Sequence, residues 1–505
     1  MGRPLWNELR ARMGEIRDLE QVVGLLTWDQ ETYMPAKGSS LRAAQLATLQ
    51  AILHERLVDP RLGELIAGVE ADGELTEIER RMVENLARER RRAERVPLTL
   101  VQALAREQSL AVEAWKRARE ESDYARFAPH LRTLVALKRE QADAIGHDGE
   151  RYDALLDGYE PGMRTARLVP LFAELRQALV PMVREVVEAA PPPRWRFEAH
   201  HFPVDRQWRL SEILLERMGF DLSRGRLDRS THPFTSGMGR GDVRLTTRFD
   251  ERNPWVSIFG TIHEAGHGLY EQNLPEEHGR DPIGVAASMG LHESQSRLWE
   301  NAIGRSLPFW EGMENELRRL FPDALVGVGI REVQAAACRV ERSTIRVDAD
   351  ELTYNLHILL RFELELAMIR GDLAVDDLPA AWNEGMERLL GIVPRNDAEG
   401  PLQDIHWAWA EFGYFPSYTL GNLYAAILYQ AMRRELGDMD ELLRRGTLLP
   451  IRDWLERKVH RVGHRYDAEE IVFRATGERL TCGPLLRYLQ DRYGPLYGVR
   501  FGDSA

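Results

Sequence analysis

The chain has 505 residues, of which 44% are hydrophobic and 29% charged, ample material for a large buried core. A formal net charge of −13 argues against broad affinity for nucleic acid or anionic membrane, and no window reaches the roughly 18 to 20 consecutive apolar residues of a membrane span. Two cysteines, Cys338 and Cys482, cannot build a disulfide framework, and the N-terminal stretch lacks the apolar core of a secretory signal, so a cytoplasmic protein is expected.

Taken in chain order, apolar residues at spacings of three and four predict helices over 5–27, 39–57, 76–93, 97–121, 125–147, 166–189 and 206–218. Turn chemistry separates them at Pro35–Gly38, Asp72-Gly73, Gly158–Gly162 and Pro191-Pro192-Pro193. The Arg/Glu-dense stretch 76–96 reads as a solvated helix face rather than a basic binding patch. Residues 242–249, DVRLTTRF, alternate and predict a strand, with RFEAHHF at 196–202 as its candidate partner. Helices resume after about residue 255 and dominate to the C-terminus. The expected fold class is therefore all-α, mainly helical, with one small antiparallel sheet. No repeat or low-complexity linker divides the chain. One domain over 1–505 is expected, with an N-terminal helical subregion at 1–190 and a metal-bearing subregion at 191–505.

The sharpest chemical signal is His263-Glu264-Ala265-Gly266-His267. On a helix, positions i and i+4 face the same way, so both imidazoles can reach one metal ion while Glu264, beside that face, reaches a water on it. This is the arrangement for zinc-assisted hydrolysis. Gly266 and Gly268 suit a helix against which another backbone packs closely. A catalytic zinc wants three protein ligands and an open position. Glu293, in LHESQS, is the expected third ligand, which gives a gluzincin-type site; His292 is the rival, and Glu271 could orient His267. One Zn2+ per chain is expected, with Co2+ as a possible substitute in such a site. Gly237-Met-Gly239-Arg-Gly241 resembles a phosphate-binding loop, but it precedes a strand and opens no helix, so that reading fails.

Six short motifs stand in order around this centre. They are His232-Pro233-Phe234, Asp242-x-Arg244-x-Thr246, His263 to His267, His292-Glu293-Ser294, Ile345-Arg346-x-x-Ala349-Asp350 and Gly400-x-x-Gln403-Asp404-x-His406-Trp407. With LTWDQETYMP at 26–35 and GYFPSYTLGN at 413–422, the chain resembles the carboxypeptidase Taq family of metallocarboxypeptidases over nearly its whole length. Ala408-Trp409-Ala410-Glu411 departs from that pattern, being bulkier than the small, glycine-containing segment expected there.

The resemblance implies a helical fold with a long, deep substrate groove, a homodimer, and removal of C-terminal amino acids one at a time with broad specificity. The implied partners are peptides with a free C-terminus, not nucleic acid or membrane. Arg346 is then the candidate reader of the terminal carboxylate, because its planar fork matches that group; an ion pair with Asp348 or Asp350 is the structural alternative. Arg244 could do similar work, although a strand-to-helix salt bridge suits it better. Tyr418 is expected at the oxyanion and His406 at the substrate or intermediate, with Tyr414 as the alternative and His232 lining the same pocket. Two rival functions remain. One is an oligopeptidase or dipeptidyl carboxypeptidase; the other is a non-catalytic helical metal-binding scaffold, which an intact Glu264 and only three evident ligands disfavour.

Overall fold

The computed structural model describes residues 3–189 and 195–502, so the Pro191–Pro193 boundary lies outside the described residues. The first half is a run of helices: α1 (Pro4–Thr32), α2 (Ser39–Val58), α3 (Pro60–Asp72), α4 (Glu77–Arg95), α5 (Leu98–Glu121), α6 (Tyr124–Ile145), α7 (Arg151–Leu156), α8 (Thr165–Ala189) and α9 (Val204–Met218). Three strands follow, β1 (Gly225–Arg229), β2 (Thr235–Gly237) and β3 (Val243–Thr247). Helices α10 (Trp255–Gln272), α11 (Met289–Arg297), α12 (Leu307–Leu320), α13 (Ile330–Ala337), α14 (Tyr354–Arg370), α15 (Leu378–Leu390) and α16 (Pro416–Glu435) come next. The chain closes with α17 (Met439–Arg444), α18 (Leu449–Lys458), α19 (Ala468–Thr476) and α20 (Gly483–Tyr497). None of the described helices is long and apolar enough to cross a membrane. Both cysteines are free and buried.

Local chemistry explains the boundaries. Thr76 and Glu79 form a capping box that opens α4. Helix α3 lies in a stretch that apolar periodicity left unassigned; the Asp59 side chain caps it and Gly73, at φ +67°, ends it. The charged stretch 76–96 is indeed helical, and several of its arginines are structural: Arg88 and Arg92 both reach Asp157.

The sheet is mixed rather than antiparallel. Its order is β1-β3-β2, with β1 parallel and β2 antiparallel to β3. The strand expected at 242–249 is β3, but residues 196–202 do not pair with it. Phe197–Ala199 form a single 3-10 turn. The alternation there serves packing instead: Trp195 and Phe197 set their rings 6.0 and 5.6 Å from Trp255, and Phe202 sets its ring 6.4 Å from Trp195. Of its two actual partners, β2 has three residues, and β1 is short and arginine-rich and so carries little strand signal. Its Gly225 is required by close approach, since a Cβ there would lie 2.4 Å from the Val243 carbonyl oxygen.

Among the described residues two apolar cores are present. A small one joins α1, α3 and α4 through Trp6, Leu9, Leu62, Leu65, Val83 and Leu86, closed by Ile283. The main one runs from Val96 to Tyr493. Within it α10 packs on β3, α9 and α11, and α11 packs on α16. These contacts decide where the chemistry sits.

Candidate functional site

His263 and His267 project from the same side of α10, as their spacing requires, with ring centroids 4.9 Å apart. Helix α11 crosses so closely that a Cβ on Gly266 would lie 2.6 Å from Ser296 Cα and 2.7 Å from the Gln295 carbonyl oxygen. Gly268 makes the same allowance on the other side, where a Cβ would lie 2.7 Å from Leu245 Cδ2. That approach brings Glu293 Oε2 to 3.7 Å from His263 Nε2 and 3.3 Å from His267 Nε2. One ligand atom from each of the three residues lies within 4.8 Å of the others.

The remaining imidazole nitrogens are occupied, which turns both Nε2 atoms toward Glu293. His263 Nδ1 is 2.8 Å from Glu300 Oε2. His267 Nδ1 is 2.5 Å from His292 Nδ1, and His292 Nε2 is 2.8 Å from Glu271 Oε1. His292 therefore stands behind His267 and away from Glu293, and Glu271 orients His267 only through it. Glu293 also accepts from Arg297 Nε at 2.6 Å, and Arg297 Nη1 reaches Glu300 at 3.3 Å. Burial alone would raise the Glu293 pKa, yet Arg297 and the two histidines hold it well below the usual range. Glu300, likewise opposed by burial but paired with Arg297 and His263, is held down at about 2. Burial pushes His267 down to about 3. Burial opposes the charged form of His263 as well, but Glu293 and Glu300 outweigh it and raise its pKa, so His263 would give up its proton on taking a metal. Two imidazole nitrogens and one carboxylate suit a zinc ion with an open position, so the residues present fit the group.

Glu264 is buried beside this set, and its Oε2 lies 2.7 Å from the hydroxyl of Thr235 on β2. Burial raises its pKa, opposed by His263 and by Thr235. In the glycine run, Gly237 lies against the Glu271 side chain, whose Oε2 a Cβ would approach to 2.5 Å, and Gly239 adopts φ +108°, a conformation that favours glycine. His232, by contrast, is exposed, and its segment meets the metal helix through Pro233, which a Cβ on Gly260 would approach to 3.8 Å.

A second polar cluster adjoins Glu293. Helix α16 touches α11 at Gly421, where a Cβ would lie 2.7 Å from Glu293 Cγ, and Tyr418 stands one turn earlier on the same face. His406 Nε2 and the Tyr418 hydroxyl are 3.1 Å apart. Burial drives His406 down to about 3, so it is neutral, and holds the Tyr418 hydroxyl well above its ordinary pKa. Tyr414 stacks on His406 at 5.7 Å and meets Tyr418 edge-on at 5.1 Å. Arg346 lies against the Tyr418 ring, 5.1 Å from its centroid. Its partner is neither Asp348 nor Asp350: Nε and Nη2 donate to Asp404 at 2.9 and 2.7 Å, and Nη1 donates to the Tyr354 hydroxyl at 3.0 Å. Tyr354 closes the circuit, because Arg297 sits 4.3 Å from its ring. Arg244 is not in this cluster. It pairs with Asp242 at 2.8 Å and stacks 4.2 Å from the Trp28 ring of α1, so its link to a helix is cation–π, not a salt bridge. In the segment that departs from the family pattern, Ala410 adopts φ +56°, a conformation that favours glycine.

Sequence reading missed Thr235, Arg297 and Glu300. Arg297 was detectable, since it stands one helical turn from Glu293; Glu300 reaches His263 from a π-helical turn and Thr235 arrives from a three-residue strand, so neither was.

A family profile described as carboxypeptidase Taq (M32) metallopeptidase matches residues 8–493. The chain is 44% identical over 492 residues to thermostable carboxypeptidase 1 of Thermus thermophilus, covering 95% of this chain and 96% of that one. It is 40% identical over 483 residues to carboxypeptidase 1 of Bacillus subtilis, with 95% and 96% coverage. The crystal structure of the M32 carboxypeptidase from Deinococcus radiodurans R1 superposes with a TM-score of 0.96 at 38% identity, covering 98% of this chain and all of that one, 100%.

Proposed function

The chain belongs to the carboxypeptidase Taq (M32) metallopeptidase family, and from that premise we propose that it is a zinc-dependent carboxypeptidase releasing single amino acids, with broad specificity, from peptides with a free C-terminus. The observation that carries this reading is the convergence of His263 Nε2, His267 Nε2 and Glu293 Oε2 beside the buried carboxylate of Glu264. His263, His267 and Glu293 would hold the metal, which when bound would supply Lewis acidity and a water of lowered pKa.

The chain's own residues do the rest. Glu264, steadied by Thr235, takes a proton from the attacking water and delivers it to the leaving amine. Tyr418 keeps its proton and donates a hydrogen bond to the oxyanion, while neutral His406 holds Tyr418 and the substrate. Arg346, fixed by Asp404 and Tyr354, reads the terminal carboxylate. His232, exposed as it is, contributes at most to the outer wall of the pocket. The proposal includes a helical cover formed by residues 1–190, a homodimer and a cytoplasmic location.

The test is mass spectrometry of an N-acetylated peptide incubated with zinc-loaded protein, run beside its C-amidated twin. Stepwise loss of single residues from the free peptide alone is expected. Equal cleavage of both peptides, or release of dipeptides, overturns the reading in favour of an oligopeptidase or dipeptidyl carboxypeptidase.

A further inference from the structure

Between α7 and α8 the chain turns through residues 157–162. Its first residue is held by α4, through Arg88 and Arg92 at 2.9 and 3.2 Å from Asp157. Its next residues reach the helices of the site. The Tyr159 carbonyl accepts from Met289 N at 3.0 Å. Glu160 Oε1 accepts from Gly290 N at 2.5 Å and from Ser417 Oγ at 2.6 Å, and the Ser288 hydroxyl is a further partner.

These partners are not arbitrary. Met289 and Gly290 open α11, where N–H groups have no acceptor within the helix, and Ser288 caps the third, Leu291 N, at 2.9 Å. Ser417 belongs to the first turn of α16, directly before Tyr418. A single carboxylate, 2% exposed, thus joins the start of the helix bearing Glu293 to the start of the helix bearing Tyr418. The contact has no slack: a Cβ on Gly290 would lie 2.9 Å from Glu160 Oε1 and 3.1 Å from Leu420 Cβ.

We propose that Glu160 is a positioning residue that sets Glu293 against Tyr418 and, through the Asp157 turn, ties that spacing to α4. Its side-chain partners are Gly290, Ser417 and Ser288, none of them a proposed metal ligand or catalytic group. The inference rests on the assignment of Glu293 and Tyr418 under Proposed function. Its physical basis is that a misplacement of about 1 Å between reacting groups costs on the order of 100-fold in rate.

Glutamine at 160 keeps the reach and an acceptor oxygen; alanine removes the link. Full-length, zinc-loaded Glu160→Ala, Glu160→Gln and Ser417→Ala are compared by amide hydrogen exchange over 288–297 and 416–424, and by kcat and KM per metal-bearing chain. Exchange rises in both segments in Glu160→Ala, only in 416–424 in Ser417→Ala, and little in Glu160→Gln. In Glu160→Ala, kcat falls about 10- to 100-fold with KM changed less than about threefold, and Glu160→Gln recovers most of the loss. Where Glu160→Ala does not fold, Ser417→Ala carries the test with a kcat fall of about tenfold.

Two results overturn the proposal. One is a kcat within about twofold of wild type in the variant that carries the test, whatever happens to its melting temperature. The other is an equal loss in Glu160→Ala and Glu160→Gln. Failure of the underlying assignment shows elsewhere: Glu293→Ala and Tyr418→Phe would then keep wild-type metal content and kcat.

Discussion

In the proposed role of general base, Glu264 would gain a proton and give it up within one turnover, which asks for surroundings that favour neither state strongly. The structure opposes two influences on this carboxyl. Burial disfavours its charge, whereas His263 and the Thr235 hydroxyl favour it. Glu264→Gln retains the shape and the Thr235 contact but cannot accept the proton. It is expected to keep full metal content and fold while losing at least about 10²- to 10⁴-fold in kcat, measured on samples of verified zinc content. Near-normal turnover would remove Glu264 from the mechanism. At this scale the sequence was informative because the site is local: the i, i+4 spacing of the histidines on α10 already places both on one face. Arg346 shows the limit. The short-range aspartates Asp348 and Asp350 looked like its partners, but its ion pair is with Asp404, 58 residues away, which only the packed chain brings near.

Among the elements, glycines record what the helices require of one another. Gly266 lets the backbone of α11 cross α10, and Gly421 lets α16 meet the side of Glu293. The need for small residues on the metal helix was readable, whereas the identity of the crossing helix was not, because helix–helix registry depends on shape rather than periodicity. A π-helical turn, Leu298–Ile303, continues α11 and carries Glu300 to His263. Such a turn leaves no mark in an apolar 3.6-residue pattern, although it recurs at functional sites. The sheet repeats the lesson. β3 was legible from its Val-Leu-Thr alternation, but β1, Gly-Arg-Leu-Asp-Arg, is polar on its exposed face and pairs in parallel across a crossover. The aromatic segment near 197 mimicked a strand because it alternates for the sake of the core.

For the whole molecule, two sets of buried groups oppose each other in acid. Burial holds His406, His460 and His464 down at about 3, 3 and 4, against about 6.5 in the unfolded chain. Their contribution to stability is complete above about pH 6.5 and is lost as pH falls through 4 to 3. Burial raises Glu160, Glu365 and Glu411 to about 7, against about 4.3 unfolded. Their contribution is complete below about pH 4.3 and is lost as pH rises through 7. The two sets offset each other between about pH 4.5 and 6.5; below that window the raised carboxyls no longer compensate, and Glu293 and Glu300, held low in the fold, add to the loss from the histidines. Calorimetry across a pH series should therefore give a nearly level melting temperature in the window and a steep fall beneath it. A fall as steep above about pH 4.5 as below would contradict these protonation states. The most direct test of the site itself is diffraction from zinc-loaded crystals above and below the zinc absorption edge. One anomalous peak is predicted per chain, about 2.0 to 2.2 Å from His263 Nε2, His267 Nε2 and a Glu293 carboxylate oxygen. A peak bound by His292 in place of Glu293, or lying away from α10, would contradict it.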